Sequence, residues 1–402
     1  NKFSISFHGE NMADPKNFVD LQAGFYNALT QGLGYSSKDR FQLIQPSPPL
    51  TGGDQADEML WNYLNNLPIE SLTGNTSPSP GNQFLSNYQG VMSALQAGPN
   101  NFKSTIGPQC FDAYQAALKE NDVKPGATQF RNWALYNGTC SEVAVSGASA
   151  LAAAMLDPVF AAQMNVTPYR PVGEEYVDFS PNYKTMVTLL KKAPSRSFEV
   201  SASNWQTDVS KTWTSGRNTG FFGLWGSSSS TSTISEKFAS GGVSVIADFK
   251  NVLPFNATPG DWYTSSAFGL AFNNPNKAPW APNNPINWEK TFGASGNLQR
   301  FASTLLIVNR MDITVQSQAT FSEAERAEIK RNEGSGLWPF YSSSSSGGSS
   351  TSSTFDANGR MTVKITSADG VPVVIGCMVL PAAMYLGHEA IASKLLTQEF
   401  YS

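Results

Sequence analysis

Histidine is almost absent from this chain of 402 residues, which contains only His8 and His388. A Ser-His-Asp or Cys-His site needs a base that titrates near neutral pH, so one of these two would have to supply it. His388-Glu389 lacks the second histidine that a zinc-protease helix requires. His8-Gly9-Glu10 lacks the Pro-Cys-x-x-Cys sequence that follows in zinc deaminases. Both histidines are therefore expected to be structural, and no metal or cofactor is predicted.

Charged residues are also scarce, at 14 % of the chain against roughly 25 % in a typical soluble domain. The net charge is −4, and the only basic doublet is Lys191-Lys192, so the chain lacks the basic footprint of a nucleic-acid-binding protein. Ser, Thr, Asn, Gln and Gly supply the remaining polarity. Because such a surface depends on neutral hydrogen-bonding groups, the sequence predicts a secreted or particle-forming protein that acts through self-assembly or binding, with a homo-oligomer expected.

Three cysteines are too few for a disulfide scaffold. Cys110 and Cys140 both lie in the helical half, and a disulfide between them is left open. Cys377 lies in an apolar run and is expected to be a buried thiol. Four Asn-x-Ser/Thr sequons beside turn-forming residues are candidate glycosylation sites in a secreted eukaryotic protein. They are Asn75, Asn137, Asn165 and Asn256. These features favour an extracellular or particle-associated location.

Long uncharged apolar runs are missing too, and a transmembrane helix needs about 18 such residues. The nearest run, Val143 to Met164, is broken by Asp157-Pro158. It predicts two buried helices, with a membrane-inserting hairpin as the alternative. No secretory leader is visible and the chain does not begin with Met, which leads us to expect a mature or truncated form.

Helical periodicity dominates residues 1–170 and predicts a helical N-terminal domain. A short strand is predicted over Phe3–Phe7, and Asp14-Pro15 marks the start of the first helix. Further helices are expected to start near Asp54, at Phe84, at Pro108, near Phe130, at Ser146 and at Asn182. The apolar helix Ser146–Leu156 is expected at the centre of a bundle. Ser146 lacks the Gly-x-Ser-x-Gly context of a hydrolase nucleophile and is interpreted as a helix N-cap.

Strand patterns dominate from residue 197 to the end, beyond a junction at 171–196. The clearest is Val243–Phe249, whose apolar residues alternate with polar ones as in a half-buried antiparallel strand. Thr304–Asn309 and Ile313–Thr320 are interpreted as paired strands about a corner at Arg310–Asp312. The fold class predicted is therefore α+β, with the helical domain packed against a mainly antiparallel, β-sandwich-like C-terminal domain.

Local sequence signals predict turns and short helices in this C-terminal domain. Asn358-Gly359 and Asp369-Gly370 predict turns. Ser322 with Glu325 forms a capping box for a short helix at 323–331. A C-terminal helix is predicted over His388–Phe400.

Tryptophan residues are the candidate binding groups. Those singled out are Trp205, Trp213, Trp225, Trp262, Trp280 and Trp288. Exposed, they would stack on sugar rings or anchor at a membrane interface. Buried, they would fill a broad core, and we favour burial. Trp280 and Trp288 are expected to pin the Pro- and Asn-rich loop Asn273–Asn287.

Paired carboxylates are the enzyme chemistry that this composition permits most easily. Glu174-Glu175 with Asp178, or Asp54-Asp57-Glu58, would act as acid and base on a glycoside. Neighbouring carboxylates are more often a solvated face, so no catalytic residue is assigned and a non-enzymatic role is favoured. A carboxylate-based glycan hydrolase or a lectin remains an alternative, with carbohydrate as the partner.

A pore-forming or insecticidal-type toxin is the other alternative, with a membrane surface as its partner. The tracts Ser227–Ser235 and Ser342–Thr354 resemble in composition the segments that toxins refold into membrane hairpins. A barrel strand needs an apolar residue at every second position. The tracts themselves carry almost none, so Gly220–Trp225 and Val243–Phe249 would have to supply them.

Overall fold

The structure is a computed structural model that describes residues 33, 41–43, 49–68, 83–169, 177–200, 237, 243–331 and 349–386. The helices are α1 (Ala56–Asn65), α2 (Phe84–Ala94), α3 (Phe102–Lys119), α4 (Ala127–Ala134), α5 (Ala144–Ala154), α6 (Pro158–Val166), α7 (Tyr183–Lys192), α8 (Ser265–Phe272), α9 (Trp288–Phe292) and α10 (Glu323–Arg331). The strands are β1 (Phe41–Leu43), β2 (Phe179–Ser180), β3 (Arg196–Val200), β4 (Val243–Asn256), β5 (Thr258–Pro259), β6 (Arg300–Thr320), β7 (Ser349–Phe355), β8 (Arg360–Ser367) and β9 (Val373–Pro381). The predicted α+β class, helical first and stranded later, is confirmed.

Strand β6 is the axis of a seven-stranded antiparallel sheet. Along one edge it pairs with β4, from Thr304 opposite Asn256 to Ser317 opposite Val243. Along the other edge it pairs first with β9 and then with β8. Strands β3, β7 and β1 extend the sheet beyond β4, β8 and β9. A separate two-stranded ribbon joins β2 to β5.

Burial along the sheet follows its apolar pattern. Val245, Ala247 and Phe249 of β4 are buried while Ile246 and Asp248 between them are exposed, which confirms the predicted alternating strand. The first half of β6 is buried on both faces, whereas its second half alternates. Helices α1 and α7 pack on this sheet. In the part of the chain that the structure describes, helices supply the layer that a second large sheet would supply in a sandwich.

The predicted corner at Arg310–Asp312 is wrong, because β6 runs through it without reversing. Arg310 adopts a positive φ of 50°, at the position where the partner strand changes from β9 to β8. Asn309 bridges this break: its Nδ2 donates to Asn251 and to Asp369, both at 2.9 Å, and its Oδ1 accepts from the Gly370 amide at 2.8 Å. Side-chain hydrogen bonds thus replace ladder bonds where the partner strand breaks.

Several local predictions for the sheet region are confirmed. Gly359 and Gly370 occupy their turns with φ of 80° and 83°, a conformation that favours glycine. The Glu325 amide donates to Ser322 Oγ at 3.3 Å, and the Ser322 amide donates to Glu325 Oε2 at 2.7 Å. This reciprocal pair is the predicted capping box of α10.

Two predictions near helix starts need correction, and one strand was not predicted. Helix α3 begins at Phe102, ahead of Pro108, because a non-helical Gly107 (φ 76°) lets a first turn form before the kink. Ser146 is not an N-cap: it lies inside α5, and its hydroxyl donates to the Val143 carbonyl at 3.4 Å. The short strand β1 was not predicted, since its pairing with β9 is a long-range contact. The elements predicted at 3–7, 14–31 and 388–400 lie outside the described residues.

The described residues form two hydrophobic cores. The larger one spans Phe41 to Tyr385 and combines α1, α2, α7 and α8 with both faces of the sheet. The smaller one belongs to α3, α4 and α5, from Phe102 to Met164. Helix α6 serves both, because Val159, Ala162 and Val166 face the large core and Met164 the small one. We call residues 102–164 the helical unit. The predicted domain limits at 170 and 197 stay a prediction.

Helix α5 is not a central bundle helix, because one of its faces is open to solvent. Val145 is 68 % exposed and Leu156, just beyond its end, is 85 % exposed. Among the described residues no single helix could cross a membrane by length and hydropathy, although Ser141–Ala154 and Pro158–Val166 pass that test as a pair bent by 118°. Two separate helices were predicted for this run, and two are present.

Candidate functional site

A cleft of about 1170 Å³ lies where the helical unit meets the ribbon β2/β5. Its lining is mainly amide, hydroxyl and tyrosine side chains. The lining residues are Asn121, Lys124, Pro125, Gln129, Asn165, Pro168, Tyr169, Asp178, Ser180, Pro259, Gly260, Asp261, Tyr263, Thr264, Ser265 and Ser266. The first four belong to the helical unit, so the cleft opens between the two cores, a common place for binding sites.

Asp178 is the most constrained carboxyl in this cleft. It precedes β2, and its backbone carbonyl accepts two hydrogen bonds, from the Gly260 amide at 3.0 Å and from Trp262 Nε1 at 2.8 Å. The next residue, Phe179, pairs with Pro259 in the ribbon. Backbone and indole bonds therefore hold this residue on the cleft wall.

Hydrogen bonds compensate only part of the cost of burying the Asp178 carboxyl. Its Oδ1 atom is buried without a hydrogen-bond partner among the described residues. Burial is the main cause that raises the pKa of this carboxyl above its usual 3.8; the neighbouring Asp261 adds to the shift, while a hydrogen bond from Tyr169 and the charge of Lys124 oppose it. Because an unpaired buried oxygen is costly for a charged group, this environment favours the protonated acid.

Gly260 makes this arrangement possible. A Cβ atom at this position would come within 2.4 Å of Asp178 Oδ2 and 2.8 Å of Oδ1. Only a residue without a side chain lets the carboxyl lie against the backbone of the ribbon. The carboxyl position thus depends on Gly260, which follows the last residue of β4, Asn256, by four positions in the chain.

Hydrogen bonds also hold other lining groups in place. The Tyr169 carbonyl accepts from Gln89 Nε2 at 2.5 Å. The Thr264 amide donates to the Tyr88 hydroxyl at 2.8 Å, and the Thr264 hydroxyl lies 3.5 Å from Asn165 Nδ2. Helix α2 and Asn165 at the end of α6 therefore hold Tyr169 and Thr264 in the cleft wall.

No relative emerges. Comparison of the chain with protein-family models, curated proteins and solved structures finds no match. Function must therefore be argued from the site itself.

The tryptophans that the structure describes are mostly core residues. Trp262 is fully buried and Trp280 is 6 % exposed, so neither can present a ring face to a sugar. The Nε1 groups of Trp280 and Trp288 donate to the carbonyls of Ala271 and Phe272 at 3.0 and 2.8 Å. These bonds pin the loop at 273–287 to the end of α8. Trp205, Trp213 and Trp225 lie outside the described residues.

Of the predicted carboxylates that the structure describes, Asp178 alone lines the cleft. The Asp57 side chain joins two helices. Its Oδ1 accepts a hydrogen bond from the Tyr183 amide at 2.7 Å, which connects α1 to α7. Asp54 and Glu58 do not line the cleft. His8, His388, Glu174 and Glu175 lie outside the described residues, among which no group of three or more His, Cys, Asp or Glu could hold a metal.

The cysteines are paired as the sequence allowed. Cys110 and Cys140 form a disulfide with Cα atoms 5.1 Å apart, which ties α3 to the turn before α5. Cys377 is a buried thiol in β9.

The sequons differ in accessibility. Asn137 lies in a turn next to exposed Gly138 and Thr139. Asn165 lies on α6 in the cleft, and Asn256 at the end of β4 accepts from Thr304 at 2.7 Å. Asn75 is outside the described residues.

Sequence reasoning missed Asp261, Tyr169 and Gly260. The only local signal was the turn sequence Pro259-Gly260-Asp261, which precedes Trp262. That signal predicts a turn, but it does not show that the turn lies beside Asp178.

Asp178→Asn is expected to stabilise the protein at neutral pH. The folded-state pKa of Asp178 is raised above 3.8, so folding favours the protonated form, and stability is lost as pH rises from 3.8 through the folded value. A neutral amide avoids this loss. Thermal melts across pH should show a higher Tm for the variant at pH 7 and a gap that closes toward pH 4. The exposed control Asp112→Asn should show no such gap, and a pH-independent difference at Asp178 would contradict the argument.

Proposed function

We propose that this chain binds a glycan of mainly neutral sugars in the cleft between the helical unit and the ribbon. The observation that supports this is the cleft itself: a volume of about 1170 Å³ with a lining of amides, hydroxyls and tyrosines. Small-molecule pockets occupy about 300–1,000 Å³, so this cleft has room for several sugar rings. Binding at a surface was the sequence-based expectation, and glycan recognition gives it a specific form.

The chemistry of the lining supports sugar hydroxyls as the recognised groups. Asn165, Gln129 and Thr264 offer donors and acceptors on side chains that carry no charge. Asp178 and Asp261 add carboxyl acceptors, which bind paired hydroxyls well. Lys124 is the single cation among the lining residues that the structure describes. A phosphorylated or strongly anionic ligand would need more cations than that.

The disulfide supports a secreted protein, because such bonds persist mainly in oxidising compartments. Extracellular location and homo-oligomer formation remain proposals. Pore formation also remains a prediction: liposome dye release across pH would test it, and no release would argue against it.

Gly260→Ala should weaken glycan binding about tenfold or more. The added Cβ displaces the Asp178 carboxyl without deleting it, and a glycan hydroxyl left without its hydrogen-bond partner in the cleft costs about 1–3 kcal/mol. The experiment is a glycan array with wild-type protein, followed by titration calorimetry of the retained oligosaccharides. Gly269→Ala is the matched control, since its Cβ would meet nothing within 4 Å and its affinity should be unchanged. Equal affinities for the two variants, or an array without any retained glycan, would overturn the proposal.

A further inference from the structure

Two aspartates line the cleft next to the ribbon. Asp178 comes directly before β2, and Asp261 follows β5 by one residue, Gly260. The Gly260 amide donates to the Asp178 carbonyl at 3.0 Å, which places the two aspartates on the same stretch of cleft wall. Burial is the main cause that raises the pKa of Asp178, and the charge of Asp261 acts in the same direction.

The two aspartates differ in their exposure to water, and acid–base catalysis by two carboxyl groups needs such a difference in environment. Asp178 is partly desolvated, and its buried Oδ1 has no hydrogen-bond partner within the described part of the chain. Asp261 is exposed to the open cleft, where water has access. Two carboxyl groups with such different surroundings can hold different protonation states at the same pH.

We propose that the cleft hydrolyses a glycosidic bond of the glycan it binds, with Asp178 as general acid and Asp261 as general base. This proposal rests on the glycan-binding function proposed above. It adds a chemical step, and it assigns one role to each aspartate.

The step balances with water as the only co-reactant. Asp178 gives its proton to the glycosidic oxygen as the bond from that oxygen to the anomeric carbon breaks. Asp261 takes a proton from a water molecule whose oxygen bonds to the anomeric carbon from the opposite face. The products are an alcohol and a sugar with a free, inverted anomeric hydroxyl. Proton exchange with solvent then restores both carboxyl groups.

The charged and titratable groups near Asp178 determine how the acid responds to pH. Tyr169 donates a hydrogen bond to its carboxyl, Asp261 lies close by with like charge, and Lys124 acts from the helical unit. Activity should fall as pH rises through the raised pKa of Asp178, because the proton donor is then lost.

The test is release of reducing ends from cello-, chito-, manno- and xylo-oligosaccharides, together with any glycan that the array retains. Asp178→Asn and Asp261→Asn should each lower kcat by about 100-fold or more, as expected for loss of general acid or base. Both variants should still bind the glycan in calorimetry. Asp112→Asn, an exposed change on α3 outside the cleft lining, should retain wild-type kcat.

The outcomes separate the two proposals. A glycan that binds but is never cleaved by wild type would overturn hydrolysis and leave binding in place. Absence of any bound glycan would overturn both. Wild-type kcat in Asp178→Asn would exclude it as the acid, and products with retained anomeric configuration, read by proton NMR, would exclude the single displacement by water.

Discussion

Replacing Trp262 by alanine should lower the free energy of unfolding by about 3–5 kcal/mol, the range found for buried aromatic truncations. The indole is fully buried and makes edge-on contacts with Phe84, Tyr88 and Phe179 at centroid distances of 5.2, 5.5 and 5.8 Å. These rings come from α2 and β2, so the cavity would form where helices meet the ribbon. The lost Nε1 bond to the Asp178 carbonyl adds the cost of an unmade hydrogen bond.

Two further variants make this prediction specific. Trp262→Phe keeps most of the ring volume but loses the Nε1 donor, so it should cost less than the alanine change. Trp288→Ala is the control, because Trp288 is only half-buried and is the first residue of α9, away from the ribbon. Urea denaturation of the three variants measures the difference. Equal losses for Trp262→Ala and Trp288→Ala would show that burial at the ribbon is not what stabilises this region.

Removal of the disulfide in Cys110→Ser/Cys140→Ser should be the second large effect, a loss of about 3–4 kcal/mol. The bond closes a loop with a sequence separation of 30 residues, and such a cross-link chiefly reduces the entropy of the unfolded chain. Both sulfurs are also buried in the core of the helical unit. Hydroxyls at these positions would lack the apolar packing of the sulfurs.

The loss of stability in the disulfide variant should be concentrated in the helical unit. Because α3, α4 and α5 have their own core, hydrogen exchange should accelerate within residues 102–164 before it does in the sheet. Cys377→Ala is the matched control, since that cysteine makes no disulfide and belongs to the other core. Burial raises the pKa of Cys377 to about 12, so iodoacetamide should leave it unlabelled in the folded protein. Uniform acceleration in both cores would contradict a separately stabilised helical unit.

The two effects bear on the cleft from opposite sides. Trp262 supports the wall that carries Asp178, and the disulfide supports the unit that carries Asn121 and Lys124. Variants of either kind should therefore weaken glycan binding in proportion to the local unfolding they cause. Gly260→Ala differs, because it moves a binding group without opening a core.

The cleft illustrates why sequence reasoning reached only part of the site. Asp178 was singled out because carboxylates cluster near it in the chain. Asp261 lies 83 residues further on, and the β2/β5 pairing that joins the two is only two residues long on each strand. A pairing this short leaves no periodic pattern to detect. Trp262 was singled out as a candidate binding group, but it is buried, and its indole donates to the Asp178 carbonyl.

What the sequence determined by itself was the local structure: the alternation of β4, the capping box of α10, the glycine turns at Gly359 and Gly370, and hence the α+β class. Each depends on residues within about one turn or one strand, where side-chain spacing and backbone preference act directly. Tertiary structure alone decided that β6 stays continuous through Arg310, that the helices form two cores, and that a cleft opens between them. Those features depend on contacts between residues far apart in the chain, whose energies come from burial and from hydrogen bonds that no local pattern encodes.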